Sequence, residues 1–188
     1  KHSRAIVGGA MYAKNTLQAV MAAAKKQQTE PHITVLAEAF HGKKETYTED
    51  GIRVKRFWKR SSITAYTSLL QEIFSQHKDT KTVVIEFEFA MFGDRLSLLP
   101  LPLFLLILKL MGKRTIFVFH QVVDHIGDMG GHLNIKESGI KTTLLNKILQ
   151  SLYTSLLLLS DEVIVFEEVL RKRLARLGDS SKIRVIPF

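Results

Sequence analysis

Residues 83–120 contain the pattern that most restricts the fold of this chain. Residues 83–87 form a mostly apolar run of strand length, and residues 98–111 form an apolar run of helix length. Residues 115–119 form a second strand-like run, which is followed directly by His120. Two strands joined by one helix-length crossover make a βαβ unit, and the strands of such a unit pair in parallel. The pattern therefore predicts a parallel strand pair in this part of the chain.

The rest of the chain shows the same alternation of strand-like and helix-like segments. Further strands are predicted at residues 4–7, 33–37, 52–57, 162–166 and 183–186, and further helices at residues 15–28, 63–77, 142–159 and 167–177. Residues 41–51 are predicted as a polar loop that closes in a turn at Asp50-Gly51. We expect an α/β fold with a single doubly wound, mostly parallel sheet of about seven strands and helices on both faces.

Composition excludes several classes of protein. The chain has 188 residues, 46% of them apolar, which suffices for one well-filled core, and it contains no cysteine. Disulfides, cysteine-based zinc sites and thiol catalysis are therefore excluded. No signal peptide is visible, and the apolar segments at residues 98–111 and 144–159 are shorter than the roughly 20 residues of a membrane span. We expect a cytoplasmic protein in which both segments cover the sheet.

Positive charge is concentrated in the first third of the chain. Residues 1–60 hold 12 Lys or Arg against 5 Asp or Glu, whereas the remainder holds 15 against 13. Such asymmetry favours an anionic partner, although a merely solvated surface explains it equally well. The densest basic run encloses the aromatic pair Phe57-Trp58 and is predicted to dock on an anionic membrane surface. Its cations are Arg53, Lys55, Arg56, Lys59 and Arg60. Nucleic-acid contact or a solvated edge strand accounts for the same run.

Polar residues follow the two strands of the predicted βαβ unit. Ligands of open parallel sheets bind beyond the carboxyl ends of the strands, where Glu88 and His120 are placed by this pattern. An acid and an imidazole are thus predicted in one crevice, with Asp124 just downstream, although a purely structural histidine is an alternative for His120. Glu86 and Glu88 alternate with apolar residues, so at least one of them is expected to reach the strand end or an arginine such as Arg95. No Asp-x-Asp or His-x-x-x-His spacing occurs, so no metal site is predicted.

Gly8-Gly9 lies between the first predicted strand and the first predicted helix. Glycines at such a position allow backbone amides to approach an anion at the amino end of a helix. The third glycine of the dinucleotide fingerprint is missing, and a tight turn explains the pair equally well.

Four blocks of sequence, taken in order, carry a family resemblance. The first joins Gly8-Gly9 to the strand at residues 32–36, and the second is Asp-Gly-Ile-Arg-Val-Lys-Arg at residues 50–56. The third comprises the loop at residues 85–93 and the strand end Phe-Val-Phe-His at residues 117–120, and the fourth comprises residues 160–165 and 182–187. Together they resemble the N-terminal Rossmann-like domain of the GT-B-fold retaining glycosyltransferases.

The resemblance implies roles for individual residues. Residues 1–188 would form the acceptor-side domain, and a second, donor-binding domain, absent from this chain, would hold most of the nucleotide-sugar. Gly8 and Gly9 would stabilise the donor diphosphate, and His120 would be the catalytic position that orients sugar or acceptor hydroxyls. Glu88, Phe89 and Asp124 would shape the acceptor pocket. The family pattern requires neither a cofactor nor a metal.

The expected function is therefore sugar transfer from a nucleotide-sugar to a lipid- or polysaccharide-linked acceptor. We expect this chain alone to be inactive, to be peripheral to the inner face of a membrane, and to bind no nucleic acid. The alternative is a non-catalytic Rossmann module that recruits a catalytic partner or binds an anionic membrane. A dehydrogenase is a third choice, for which Glu38 is the nearest candidate to bind a ribose.

Overall fold

The structure is a computed structural model that describes residues 8–89, 96–125 and 139–187. The chain divides into two units, Lys1–Gln71 and Glu72–Phe188, and each is described by itself. Both combine helices with strands, so the predicted α/β class is confirmed.

The first unit contains a mixed sheet of three strands. Helix α1 (Gly8–Lys26) precedes strands β1 (Thr34–Glu38), β2 (Glu45–Glu49) and β3 (Ile52–Trp58). Helix α2 (Thr64–Gln76) follows, and its last five residues belong to the second unit. The strand order is β1-β3-β2, in which β1 runs parallel and β2 antiparallel to β3. Buried Ile52 and Val54 alternate with exposed Arg53 along β3, which gives the strand one apolar and one polar face.

A tight hairpin explains why β2 is antiparallel. Asp50 and Gly51, which join β2 to β3, have φ angles of 51° and 80°. Two consecutive positive φ values define the type I′ turn that best matches the twist of paired strands. The predicted turn is confirmed, but the prediction of residues 41–51 as a loop is wrong, because residues 45–49 are a strand.

The second unit contains a parallel sheet of four strands. Strands β4 (Thr82–Phe87), β5 (Arg114–Phe119), β6 (Glu162–Val165) and β7 (Ile183–Val185) alternate with helices α3 (Leu101–Leu110), α4 (Gly139–Leu159) and α5 (Glu168–Leu174). The strand order is β4-β5-β6-β7, and every neighbouring pair is parallel. The βαβ unit predicted at residues 83–120 is confirmed.

One face of this four-stranded sheet forms the core of the second unit. Phe87 lies opposite Phe119 in the register, and Phe117 lies opposite Val163. All four side chains are fully buried, and the rings of Phe117 and Phe119 lie 4.7 Å apart between centroids. Helix α3 packs against β5 and α4. This core fixes the position of the carboxyl ends of β4, β5 and β6.

The prediction of a single seven-stranded sheet is wrong. Among the described residues the strands form two sheets, of three and four strands. The Asp50-Gly51 turn folds β2 back onto β3, so a local hairpin replaces the helix crossover that a uniformly wound sheet requires. The strand predicted at residues 4–7 lies outside the described residues. No helix in the described part of the chain is long and apolar enough to cross a bilayer.

Candidate active site

His120 continues β5 by one residue at the carboxyl end of the parallel sheet. Its backbone amide donates a hydrogen bond to the carbonyl of Phe87 at 3.0 Å, which extends the β4–β5 ladder past the last strand residue. The backbone of His120 is therefore held by the rigid sheet as well as by its own loop. The position predicted for this residue, at the tip of a strand, is confirmed.

The imidazole of His120 is hydrogen-bonded to the carboxylate of Glu86. Nε2 of His120 lies 2.7 Å from Oε2 of Glu86, and the two side chains are 12% and 24% exposed. Glu86 is in register with Val118, and His120 is two residues further along, so both side chains lie on the same side of the sheet. The ring of Phe166, just after β6, meets the imidazole edge-on at 5.0 Å. Neighbouring strands thus assemble a carboxylate–imidazole pair.

This pair constrains what the imidazole can do. An ionised carboxylate only accepts hydrogen bonds, so an ionised Glu86 holds the proton on Nε2 and leaves Nδ1 as the acceptor nitrogen of the neutral ring. Together with Phe166, the carboxylate also fixes the plane of the ring. An imidazole held in this way is suited to position a hydroxyl group or to exchange a proton with it.

The sequence predicts Glu88 as the acid in the same crevice as His120. It also predicts that at least one of Glu86 and Glu88 reaches the strand end or an arginine such as Arg95. In the structure the acid is Glu86 itself, while Arg95 lies outside the described residues. The strand register identifies Glu86. It pairs with Val118 of β5, and residues two apart on a strand share a face, so the next residue on that face of the sheet is His120.

The loop after His120 is tied to helices α4 and α5. Arg173 of α5 donates from Nη1 to the carbonyl of Val122 at 2.8 Å, and its Nε lies 3.0 Å from Oδ2 of Asp124. The amide of Val123 donates to the hydroxyl of Tyr153, on α4, at 2.9 Å. These contacts come from residues 30 and 51 positions away, so they fix the loop to the body of the unit.

Two adjoining cavities open beside this loop. One, of about 330 Å³, is lined by His120, Gln121, Glu167, Leu170 and Arg173; the other, of about 250 Å³, is lined by Asp124, His125, Tyr153, Arg173 and Arg176. The larger volume is at the small end of the range for small-molecule sites, and the smaller volume lies below that range. The lining combines imidazole, carboxylate and guanidinium groups, which are the groups expected around a polar ligand.

Glu167 and Arg173 were not predicted as part of the site. Glu167 immediately precedes α5, at the carboxyl edge that already holds His120, so the strand-end rule that selected His120 would also have selected it. Arg173 has no local sequence signal, because its role depends on contacts with a loop 51 residues away.

The residues predicted to shape the acceptor pocket have different environments. Asp124 lines the smaller cavity and is paired with Arg173. Phe89 is buried, with its ring edge-on to Phe87 at 5.2 Å and to Tyr153 at 6.2 Å, so it belongs to the aromatic core. Glu88 directly follows β4 and is partly exposed.

Gly8 and Gly9 are the first two residues of α1, in the first unit. The helix predicted from residue 15 therefore begins seven residues earlier, and the glycines are in its first turn instead of in a preceding loop. Ala10, Met11 and Ala13 favour helix and explain the longer element. The first turn holds no acidic residue, so its backbone amides remain electrostatically suited to an anion.

The basic run of β3 does not form one uniform patch. Arg60 makes two contacts with Oε2 of Glu38, at 2.7 and 3.0 Å, and Arg56 lies 3.6 Å from Oε1 of Glu45. By strand alternation Arg53 and Lys55 lie on the face opposite to Arg56. Nζ of Lys55 is 5.4 Å from the centroid of the Phe57 ring. Lys59 follows β3 and is exposed. Two of the five predicted cations are therefore paired with carboxylates, and lipid binding by this run stays a prediction.

The search of family models and curated proteins adds no relative. No protein-family model matches this chain, and no curated protein matches it. The likeness to glycosyltransferases thus rests on the sequence blocks alone, and function has to be argued from the geometry of the site.

Proposed function

We propose that this chain is the acceptor-binding half of a retaining glycosyltransferase. The observation that carries the proposal is the 2.7 Å hydrogen bond between Glu86 and His120, placed at the carboxyl end of parallel strands and beside a cavity of about 330 Å³. Strand-end edges of this kind are where α/β folds bind their ligands. The order of the four sequence blocks adds independent support.

Sugar transfer requires that an acceptor hydroxyl and the reacting sugar be held in a fixed orientation. In the proposal, His120 supplies the hydrogen bond to a sugar or acceptor hydroxyl, and Glu86 keeps the imidazole in one orientation and one tautomer. Asp124 and Glu88 contribute acceptors for further hydroxyls. Arg173 holds the loop that carries Asp124, and so acts as a positioning residue.

The leaving nucleoside diphosphate needs positive potential. The proposal assigns this to cationic side chains and to a separate donor-binding domain. No metal or cofactor is invoked. The isolated chain is accordingly proposed to bind acceptor weakly and to transfer no sugar, and the acceptor is proposed to be lipid- or polysaccharide-linked.

The test has two stages. Ligand-observed NMR on this chain screens acceptor glycans, and the gene product that contains the chain is incubated with a panel of nucleotide-sugars. His120→Ala is expected to lower kcat by about 100-fold or more, and Glu86→Gln by a smaller factor, since proton positioning in such sites contributes factors of this size. Glu162→Gln is the control, because Glu162 lies at the start of β6 and pairs with Arg114.

The outcomes separate the two candidate functions. Unchanged kcat in His120→Ala would disprove the catalytic role. Binding of an acceptor glycan without turnover of any nucleotide-sugar would instead favour the non-catalytic module that recruits a catalytic partner.

A further inference from the structure

Helix α3 is apolar on all sides. Lys109 is its only charged residue. Its inner face consists of Leu101, Phe104, Leu105 and Leu108, which are buried. A surface helix in a globular protein normally carries several polar residues on its outer side, but the only charged residue of α3 is Lys109.

The outer side of α3 is a row of exposed leucines. Leu99, just before the helix, is 58% exposed, Leu103 58%, Leu106 39% and Leu110 79%. The spacing of four, three and four residues places them on one helical face, which we call the leucine face. Helix α4, which packs against α3, also exposes Leu144, Ile148 and Leu158. A row of exposed leucines on one helix marks a candidate site of interaction.

Charge around these helices has a single sign. Residues 95–123 and 138–160 contain no Asp or Glu. Lys109 on α3 and Lys147 on α4 are both exposed. The segments that form the two helices thus contribute cations and no carboxylate, although Asp and Glu make up 18 residues of the whole chain.

This combination is complementary to an anionic bilayer. Leucines of an interfacial helix enter the boundary between headgroups and acyl chains, while nearby lysines meet the anionic headgroups. A second copy of the chain is a poorer match, since it would bring the same cations against each other with no carboxylate in residues 95–123 or 138–160 to pair them. With 10 residues, α3 is far shorter than a membrane span, so it would lie on the bilayer.

We propose that the leucine face of α3 docks on the surface of an anionic lipid bilayer, assisted by Lys109 and Lys147. This surface is distinct from the basic run of β3. The inference does not depend on sugar transfer, because its test measures only the binding of lipid.

The test measures co-sedimentation of the full chain with vesicles of phosphatidylcholine, with and without phosphatidylglycerol. The variant Leu103→Asp/Leu110→Asp removes the centre of the leucine face and is expected to weaken binding to the anionic vesicles at least about tenfold. Lys109→Glu/Lys147→Glu is expected to remove the preference for phosphatidylglycerol. The matched control is Val169→Asp, on α5 of the same unit, where an exposed apolar residue is replaced without loss of binding.

A second readout does not depend on loss of binding. Because the chain has no cysteine, a single environment-sensitive fluorophore can be attached to Leu110→Cys or, as control, to Val169→Cys. Anionic vesicles should shift the emission of the first label to shorter wavelength and leave the second unchanged.

Three results would overturn the proposal. The first is full vesicle binding by the folded Leu103→Asp/Leu110→Asp variant, and the second is an unchanged emission of the label at position 110. The third is vesicle-independent dimerisation that the same double variant abolishes, which would assign the leucine face to a second copy of the chain.

Discussion

The hydroxyl of Tyr153 accepts a hydrogen bond from the amide of Val123 at 2.9 Å, across 30 residues of sequence. Tyr153 is buried among the aromatic rings of the core, whereas Val123 belongs to the loop that lines both cavities. The hydroxyl of Tyr153 thus links the loop of the candidate site to the core.

Tyr153→Phe is expected to lower the free energy of unfolding by about 1–3 kcal/mol, because it leaves a buried backbone amide without its acceptor. Urea denaturation measures this loss, and hydrogen exchange of the Val123 amide should become faster. Tyr47→Phe is the control: its hydroxyl accepts only a 3.3 Å bond from Arg56 in a partly exposed position, so a smaller loss is expected. Equal losses in the two variants would contradict this view of the loop.

Stability should also fall at alkaline pH. Burial raises the pKa of the Tyr153 and Tyr66 hydroxyls well above their ordinary range. Above about pH 10 the unfolded chain then loses protons that the folded chain keeps, so the unfolded state is favoured as pH rises. Tyr153→Phe should show a shallower decline than the wild-type chain in urea titrations across this range. Parallel declines would indicate that Tyr153 ionises equally in both states.

Lys113 supports the turn that precedes β4. Its side chain is buried, and its Nζ donates to the carbonyl oxygens of Thr80 at 2.7 Å, His77 at 3.4 Å and Lys78. Lys113→Met keeps the aliphatic volume but removes all three bonds, and should cost about 1.5–3 kcal/mol of unfolding free energy.

The comparison for Lys113 is Lys182→Met. Nζ of Lys182 makes longer bonds, of 3.1 to 3.5 Å, to three carbonyls at the end of α4. A smaller loss is expected there by chemical denaturation. A larger loss at Lys182 would show that bond length does not determine the contribution of these lysines.

Gly51 is required by its backbone conformation. Its φ of 80° is in the left-handed region, which residues other than glycine rarely adopt. An added Cβ would have room, since it would meet only Met21 Cε at 3.9 Å. Gly51→Ala should therefore lower the free energy of unfolding by about 1 kcal/mol or more through backbone strain alone. Gly139→Ala provides the control, since nothing lies within 4 Å of its added Cβ and its φ is not in that region. Thermal unfolding of the two variants should give a lower melting temperature for Gly51→Ala than for Gly139→Ala. Equal melting temperatures would show that the turn tolerates a side chain.

Local patterns predicted the second unit better than the first. Apolar runs of strand and helix length at residues 83–120 specify a βαβ unit, because each element is decided by its own sequence. Strand β2 was missed because its residues are polar and none is fully buried, so no apolar face marks it, although Thr46 and Thr48 favour strands and an Asp-Gly turn follows. That turn was the stronger signal, as it fixes a hairpin through its backbone angles.

The candidate site was predictable only in part. The position of His120 follows from the end of β5, and the end of that strand is visible in the local sequence. Its partner Glu86 depends on the register of two strands, and the Arg173–Val122 bond depends on the docking of α5 against a distant loop. Contacts of this kind are set by tertiary packing, so no window of sequence contains them.

The strand order β4-β5-β6-β7 has a consequence for how the second unit is assembled. Each new strand pairs with the strand that precedes it in the chain, so the sheet grows by addition at one edge. Its parallel partners are nevertheless brought together across whole helices, and long separations between paired segments slow folding. In the first unit β3 inserts between β1 and β2, so that sheet is completed only when its last strand arrives.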